Sequence, residues 1–370
     1  MSFQRKRPAD RAAWLSVLVV SAFVLAVPRA TKGADASAAL ERAGVNKGIC
    51  VVLGLPDAGQ PGFVTELAKQ SDLLIYFQWP DCAEATAVRQ ASEAAGMLGK
   101  RVFVERGDRR FIHLADNLAD TALIAPSAAD SVTREELLRV LRPGAKAILG
   151  SEEIVKPIPE GTDDWSYPYH GPDNNPQSAD KGARAPYLTQ FIAEPKFAPS
   201  PAVTVAAGGR VFRACGHLAH KANQNDMLNT LLAVNAYNGT ILWKRPLREG
   251  FMVLRNTIIA TPEILYLADD QSCKLLDAAT GRLLDEIISP DPETDGTVWK
   301  WMALDGDILY GLIGDKEFEA SVLRSDAFGV GGWPRANWPG FDYQDAKTAW
   351  SQGRTLFAIH TKTREVLWRH

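Results

Sequence analysis

The sequence is short of several things, and each shortage removes a class of function. It has only four cysteines, Cys50, Cys82, Cys215 and Cys273, in 370 residues. None sits in a C-x-x-C or C-x-x-C-H pattern, which excludes a c-type haem attachment site and argues against a zinc knuckle. They read as small buried hydrophobes; in an exported chain they could also pair, with no pairing assigned. Charge of either sign is not in excess: 41 Lys and Arg face 44 Asp and Glu, a net charge of -3. No basic stripe alternates with aromatics, so nothing points to nucleic acid. Beyond the N-terminus no apolar run is long enough to cross a bilayer. The remainder, 46% hydrophobic and 23% charged, is an ordinary globular composition, and this length allows two or three domains.

The single long apolar run opens the chain. Arg5, Lys6, Arg7 and Arg11 precede an apolar stretch from Ala12 to Val27, and Ala34-Asp35-Ala36 supplies an A-x-A-like cleavage site. The stretch is short for a membrane span. Residues 1–36 are therefore expected to be a signal peptide, with an uncleaved N-terminal anchor as the alternative. The n-region has no Arg-Arg pair, so a twin-arginine signal is not supported. The expected location is exported: periplasm or cell envelope.

Residues 37–150 alternate short apolar runs with amphipathic ones. Strands are expected at 48–54, 72–77, 101–105, 121–125 and 146–149, with helices at 63–70, 83–95 and from Thr133, where Thr133 and Glu136 form a capping box. Continuous apolar strands between helices predict a parallel sheet covered on both faces, a doubly wound Rossmann-like unit with right-handed crossovers. Two stretches carry a resemblance. Gly107-Asp108 with Leu114-Ala115-Asp116-Asn117-Leu118-Ala119-Asp120, and Glu135-Glu136-Leu137-Leu138-Arg139-Val140-Leu141-Arg142-Pro143-Gly144, resemble class I S-adenosylmethionine-dependent methyltransferases of the type 11 group. The resemblance implies a cofactor site at the strand ends, made here by Gly54, Asp57, Gly59, Gly62, Asp81 and Asp108. The loop departs from that family: Gly54 stands near its acidic position and Pro56 near its first glycine, where a fixed φ and a missing N–H suit the cofactor poorly. An exported domain is also separated from cytoplasmic S-adenosylmethionine.

Residues 151–200 are proline-punctuated. Trp165-Ser166-Tyr167-Pro168-Tyr169-His170-Gly171-Pro172-Asp173-Asn174 reads as an ordered aromatic segment laid on the first repeat unit of the C-terminal half, with His170, Asp173 and Asn174 as the polar alternative. From 201 to 370 the strands are short. A hairpin motif recurs at Leu231–Trp243, Leu275–Leu284 and Leu356–Trp368; its turn falls at Gly239, Gly281 and Arg364, gaps of 42 and 83. Leu265-Tyr266 and Leu309-Tyr310, 44 apart, mark second strands at a similar period. Four-stranded units of this length predict propeller blades. The core Asp277-Ala278-Ala279-Thr280-Gly281 resembles the PQQ-like repeat, and the aromatic lead-in resembles that of planctomycete-type exported proteins with such repeats.

About four blades are expected, fewer than the roughly seven or eight of a closed ring of this type. The reading is a truncated product or a half-ring completed by a partner, either a protein or the missing blades. Quinone chemistry needs the full ring, so PQQ is not expected, nor is any metal. His217 and His220, three apart on a strand, point to opposite faces. Asn238-Gly239-Thr240 matches a glycosylation acceptor, but turn chemistry accounts for it. Trp299, Trp301, Trp333, Trp338 and Trp350 read as packing under an insertion. The whole is expected to be an exported binding or scaffold protein with a degenerate methyltransferase-like domain and no enzyme activity. A methyltransferase with an appended propeller, with S-adenosylmethionine as its one possible cofactor, and a fragment of a PQQ-dependent dehydrogenase-like protein are the alternatives.

Overall fold

A computed structural model describes residues 32–56, 60–185, 189–249, 253, 256–314, 321–326 and 353–370. Residues 1–31 of the expected signal peptide lie outside these, as do Trp333, Trp338 and Trp350. Among the described residues no helix is long and apolar enough to cross a membrane.

The first unit runs α1 (Lys32–Ala43), β1 (Lys47–Leu53), α2 (Gly62–Lys69), β2 (Asp72–Trp79), α3 (Cys82–Ala94), β3 (Val102–Arg106), β4 (Ala119–Ile124), α4 (Pro126–Ala129), α5 (Arg134–Val140), β5 (Leu141–Leu149) and β6 (Glu152–Val155). The strand order is β3-β2-β1-β4-β5-β6, parallel except for β6, which returns as a hairpin. The expected Rossmann-like sheet is present, with its order reversing between β1 and β4. The first turn of α1 falls inside the expected signal segment, and Ala36 is fully buried in the core of this unit.

The two faces are covered unequally. Helices α1, α2 and α3 pack side by side on one face. On the other face, the β3–β4 crossover (107–118) has no helix. Polar side chains hold it instead. Gln78, fully buried, donates to the carbonyls of Asp108 (2.8 Å) and Phe111 (2.7 Å) and accepts from the His113 N–H at 2.9 Å. Glu136 accepts from the Ile112 N–H at 2.6 Å, and Arg139 donates to the carbonyls of Ile112 (2.7 Å) and Leu114 (2.8 Å). An extended crossover cannot satisfy its own backbone, so α5 and β2 supply the partners. Thr133 caps α5 by accepting from the Glu136 N–H at 3.2 Å, but the other half of the expected capping box is absent, because the Glu136 carboxylate turns to Ile112 and Arg139.

The second part forms three antiparallel four-stranded meanders. They are β7 (Ser200–Ala207) to β10 (Ile241–Pro246) through β8 (Arg210–Leu218) and β9 (Thr230–Asn235); β11 (Ile258–Ala260) to β14 (Leu283–Ile287) through β12 (Ile264–Ala268) and β13 (Cys273–Asp277); and β15 (Val298–Asp305) to β18 (Val366–Arg369) through β16 (Ile308–Gly314) and β17 (Thr355–His360). Period-two alternation buries both faces of the middle sheet. Ile258, Leu265, Leu267 and Leu276 meet Phe212, Leu231 and Trp243 of the first sheet. Ile259, Tyr266, Leu275 and Ile287 meet Trp299, Leu309 and Phe357 of the third. Leu265-Tyr266 and Leu309-Tyr310 both lie on second strands, as their spacing indicates.

The number of units differs from the sequence expectation. Among the described residues there are three such sheets, not four. β16 pairs directly with β17, so Ala303–Gly314 and the Leu356–Trp368 hairpin belong to one sheet. The doubled gap arises from residues inserted between those two strands.

The aromatic lead-in reaches all three sheets rather than the first alone. Trp165 exchanges backbone hydrogen bonds with Ala206 of β7 (2.8 and 2.7 Å), the Ser166 carbonyl accepts from the Ala260 N–H of β11 at 2.9 Å, and the Tyr167 hydroxyl accepts from the Leu304 N–H of β15 at 2.8 Å. The segment thus ties the first strands of the three sheets together. Tyr167→Phe leaves the part-buried Leu304 peptide without this partner and is expected to cost about 1 kcal/mol; urea denaturation of the variant measures it, and an unchanged midpoint would deny the segment this role.

Candidate ligand site at the strand ends

In a doubly wound sheet a ligand is received beyond the carboxyl ends of the strands at the switch point. Here β1 is followed by Gly54, whose φ is 76°. Trp79 ends β2 and folds over it: a Cβ on Gly54 would lie 2.7 Å from the indole ring. The indole is 3% exposed, and the Arg109 guanidinium stacks on it at 4.4 Å from the ring centroid. Glu84 of α3 accepts from the Leu55 N–H at 3.2 Å and hydrogen-bonds Trp79. Burial raises the Glu84 carboxyl above the ordinary carboxylate range, with the Leu55 N–H opposing. The space just past β2 is therefore filled by the protein's own ring, while Gly54 and Pro56 just past β1 also line an open cleft.

The residues expected at a cofactor site are dispersed among local duties. Gly54 lies under Trp79. Asp57 and Gly59 are outside the described residues. Gly62 opens α2 with nothing close to its Cα. Asp81 caps α3, accepting from the Glu84 N–H at 2.9 Å. Asp108 accepts from the N–H groups of Arg110 (2.7 Å) and Phe111 (2.8 Å), which hold its carboxyl below the ordinary range, Phe111 foremost. The β2 end, where the methyltransferase resemblance places an acidic residue, carries Gln78 and Trp79 instead, and both are engaged.

What does open at the switch point is a cleft of about 350 Å³ between β1, β4 and β5 on the helical face. Val52, Phe63, Leu123 and Ile148 form its floor, and Ala38 and Arg42 of α1 line it opposite. It is mainly apolar, and Arg42 directs a guanidinium N–H to the Gly150 carbonyl at 2.7 Å. Such a cleft suits an apolar group, and among the described residues its lining presents no carboxylate to sugar hydroxyls. The lining from α1 was missed in the sequence, where these residues directly follow the expected cleavage site. Their i, i+4 spacing was the available signal.

Asp120 was also missed, because it reads as one residue of a strand. It is 2% exposed on β4 and accepts four hydrogen bonds: from the Ile49 N–H (2.9 Å), Arg142 Nε (2.6 Å), Asn235 Nδ2 (2.7 Å) and Asn238 Nδ2 (2.7 Å). Gly48 beside it has φ 127°, and a Cβ there would overlap the carboxylate. Asn235 and Asn238 belong to the first hairpin turn of the β-rich part, so turn chemistry was only half of their role. Asp120 joins the two parts of the chain.

Elsewhere the described residues hold no cluster of three His, Cys, Asp or Glu able to bind a metal. His217 is buried, and His220 Nε2 lies 3.0 Å from Ser200 Oγ. His170 Nε2 lies 2.7 Å from Asp163, closing the aromatic lead-in on itself. The four cysteines are free thiols; Cys50, Cys215 and Cys273 are buried as expected, whereas Cys82 is exposed.

No protein-family model matches the chain, and no curated protein does. Solved structures are similar to part of it. A proposed S-adenosyl-L-methionine-dependent methyltransferase of Methanococcus maripaludis is 26% identical over 31% of this chain and 53% of its own, with a TM-score of 0.28. A SAM-dependent methyltransferase of Aquifex aeolicus is 21% identical over 30% and 61%, with a TM-score of 0.27. A geranyl diphosphate methyltransferase in complex with SAM is 16% identical over 31% and 47%, with a TM-score of 0.28. The matched part spans about half the length of these chains.

Proposed function

We propose that the chain is an exported, non-catalytic binding scaffold whose sheets are consecutive blades of a PQQ-like propeller, carried on a degenerate methyltransferase-like domain. The observation that carries this reading is Trp79 over Gly54, with Asp81 and Asp108 both committed to backbone N–H groups. A dinucleotide-like cofactor needs free backbone approach past β1 and a free acceptor past β2. Here Trp79 lies over Gly54, which also lines the switch-point cleft, and Asp81 and Asp108 each spend one carboxylate oxygen on backbone N–H groups. The basic residues before the apolar N-terminal run support export. The three stacked four-stranded meanders, joined at their first strands by Trp165–Tyr167, support the propeller reading.

A second reading, an S-adenosylmethionine-dependent methyltransferase with an appended propeller, is favoured by the cleft at the β1–β4 switch point. Calorimetric titration of S-adenosylmethionine into the full chain separates the two. The scaffold reading expects no heat of binding up to millimolar ligand. A micromolar Kd, about 8 kcal/mol of binding free energy, would overturn it in favour of the enzyme.

A further inference from the structure

A parallel sheet is ordinarily covered on both faces. Here one face has no helix over β1, β2 and β3 among the described residues. Helices α1, α2 and α3 lie on the opposite face, and α5 packs on β5 and β6. The β3–β4 crossover passes over the bare face without a helix, pinned by Gln78 near the end of β2. Strand register then sets apolar side chains next to one another. Ile49 stands beside Leu74, and Tyr76 beside Phe103. With Leu114 of the crossover they line a groove of about 650 Å³ that reaches the outer edge of β3. Phe103 is 42% exposed in it.

Arg89 and Glu105 are the charged residues of this lining, and they differ in what they can still bind. Glu105 is engaged at both oxygens: Oε2 accepts from the Tyr76 hydroxyl at 2.6 Å, and Oε1 lies 3.0 Å from His113 Nδ1. These contacts, the Tyr76 hydroxyl foremost, hold its carboxyl below the ordinary range. Arg89 reaches from α3 to the β3 edge, where Nη2 donates to the Val104 carbonyl at 2.9 Å. Among the described residues no carboxylate pairs with it. A guanidinium carries five N–H donors in a planar fork, so this single bond leaves donors for an anion.

We infer that the groove is a binding site for one free fatty acid, its chain over Ile49, Leu74 and Phe103 and its carboxylate on Arg89. The volume lies in the range that receives a small molecule. The ionised Glu105 sets the direction, since it repels a carboxylate and its two oxygens already have partners. A bilayer would find one unpaired cation in this lining, whereas anionic lipid surfaces are held by clusters of them. The groove shares no residue with the cleft lined by Val52 and α1, so the site goes beyond the scaffold reading and does not rest on it.

The test titrates decanoate, and separately uncharged decanol, into the full chain by calorimetry. A single decanoate is expected to bind saturably below millimolar concentration. Arg89→Gln is expected to weaken decanoate by about tenfold or more, the loss of a charged hydrogen bond, and to leave decanol unchanged. A merely structural loss of the Val104 contact would not separate the two ligands. Leu74→Trp fills the groove and is expected to weaken both; Phe103→Glu, at an exposed position, takes its place if that variant does not fold. Absence of saturable binding, equal effects of Arg89→Gln on acid and alcohol, or full binding by the groove variant overturns the inference. A dimer seen by sedimentation that Phe103→Glu dissociates and decanoate does not would assign the face to a second copy and overturn it. So would flotation with phosphatidylglycerol vesicles, lost in Arg89→Gln, by a chain that ignores decanoate. Heat from S-adenosylmethionine in any of these proteins bears on the scaffold reading alone.

Discussion

Replacing Asp120 by alanine is expected to destabilise the chain by about 3–5 kcal/mol, because it strips the partner from a charge that is itself mostly shielded. Arg142 Nε loses its carboxylate at 2.6 Å, and the amides of Asn235 and Asn238 lose their acceptor. The Ile49 N–H is left without it as well. The loss has a second signature. Asp120 is the point where the β4–β5 end of the α/β sheet holds the first hairpin turn of the β-rich part. Without it the two parts lose their most buried polar joint, and a scanning calorimeter is expected to show two thermal transitions where the parent shows one. Asp120→Asn keeps the shape and one acceptor oxygen but leaves Arg142 uncompensated, so it should fall between parent and alanine. A single transition with a shift below about 1 kcal/mol, the size of an exposed ion pair, would show that Asp120 carries no interdomain role.

Trp243→Ala carries the next largest expected effect, again about 3–5 kcal/mol, the usual range for truncating a buried aromatic. The indole fills the space between the first and second sheets, tilted against Phe212, and its N–H satisfies the Ala278 carbonyl. Gly281 beneath it has no side chain to swing into the void. The damage should therefore be local to the junction, and β11–β14 amides should exchange faster than those of β1–β5. Trp243→Phe restores most of the apolar area without the donor and should recover all but about 1–3 kcal/mol, the cost of the unpaired carbonyl. Denaturant titration and hydrogen exchange measure both. Uniform exchange across the two parts would sink the idea that this ring acts at one joint.

The same two residues show why parts of this chain were legible from sequence and parts were not. Trp243 belongs to a motif whose turn glycine, alternating Leu and Val, and closing aromatic all answer to local rules: φ above zero at the turn, and period two along the strand. Such rules act within a few residues, so the hairpins at Gly239 and Gly281, the second strands at Tyr266 and Tyr310, and the capped helix at Thr133 could be read directly. The parallel sheet was legible for the same reason, from apolar runs between helices.

The roles of Asp120, Gln78 and Trp79 depend on neighbours far away in the chain. Asp120 meets asparagines more than a hundred residues later. Gln78 anchors a crossover about thirty residues on, in place of a helix that the expected double winding would have supplied. Trp79, at the end of the neighbouring strand, lies over Gly54 of a loop that the sequence already showed departing from the family pattern. Among the described residues the number of sheets was likewise settled by pairing, since only the β16–β17 register shows that these two strands share one sheet. Local propensity and periodicity determined which elements form and where they turn. Long-range contacts, which no short window of sequence records, decided which strands share a sheet and which faces stay covered. They also decided whether a glycine-rich strand end is left as a site or filled by a side chain.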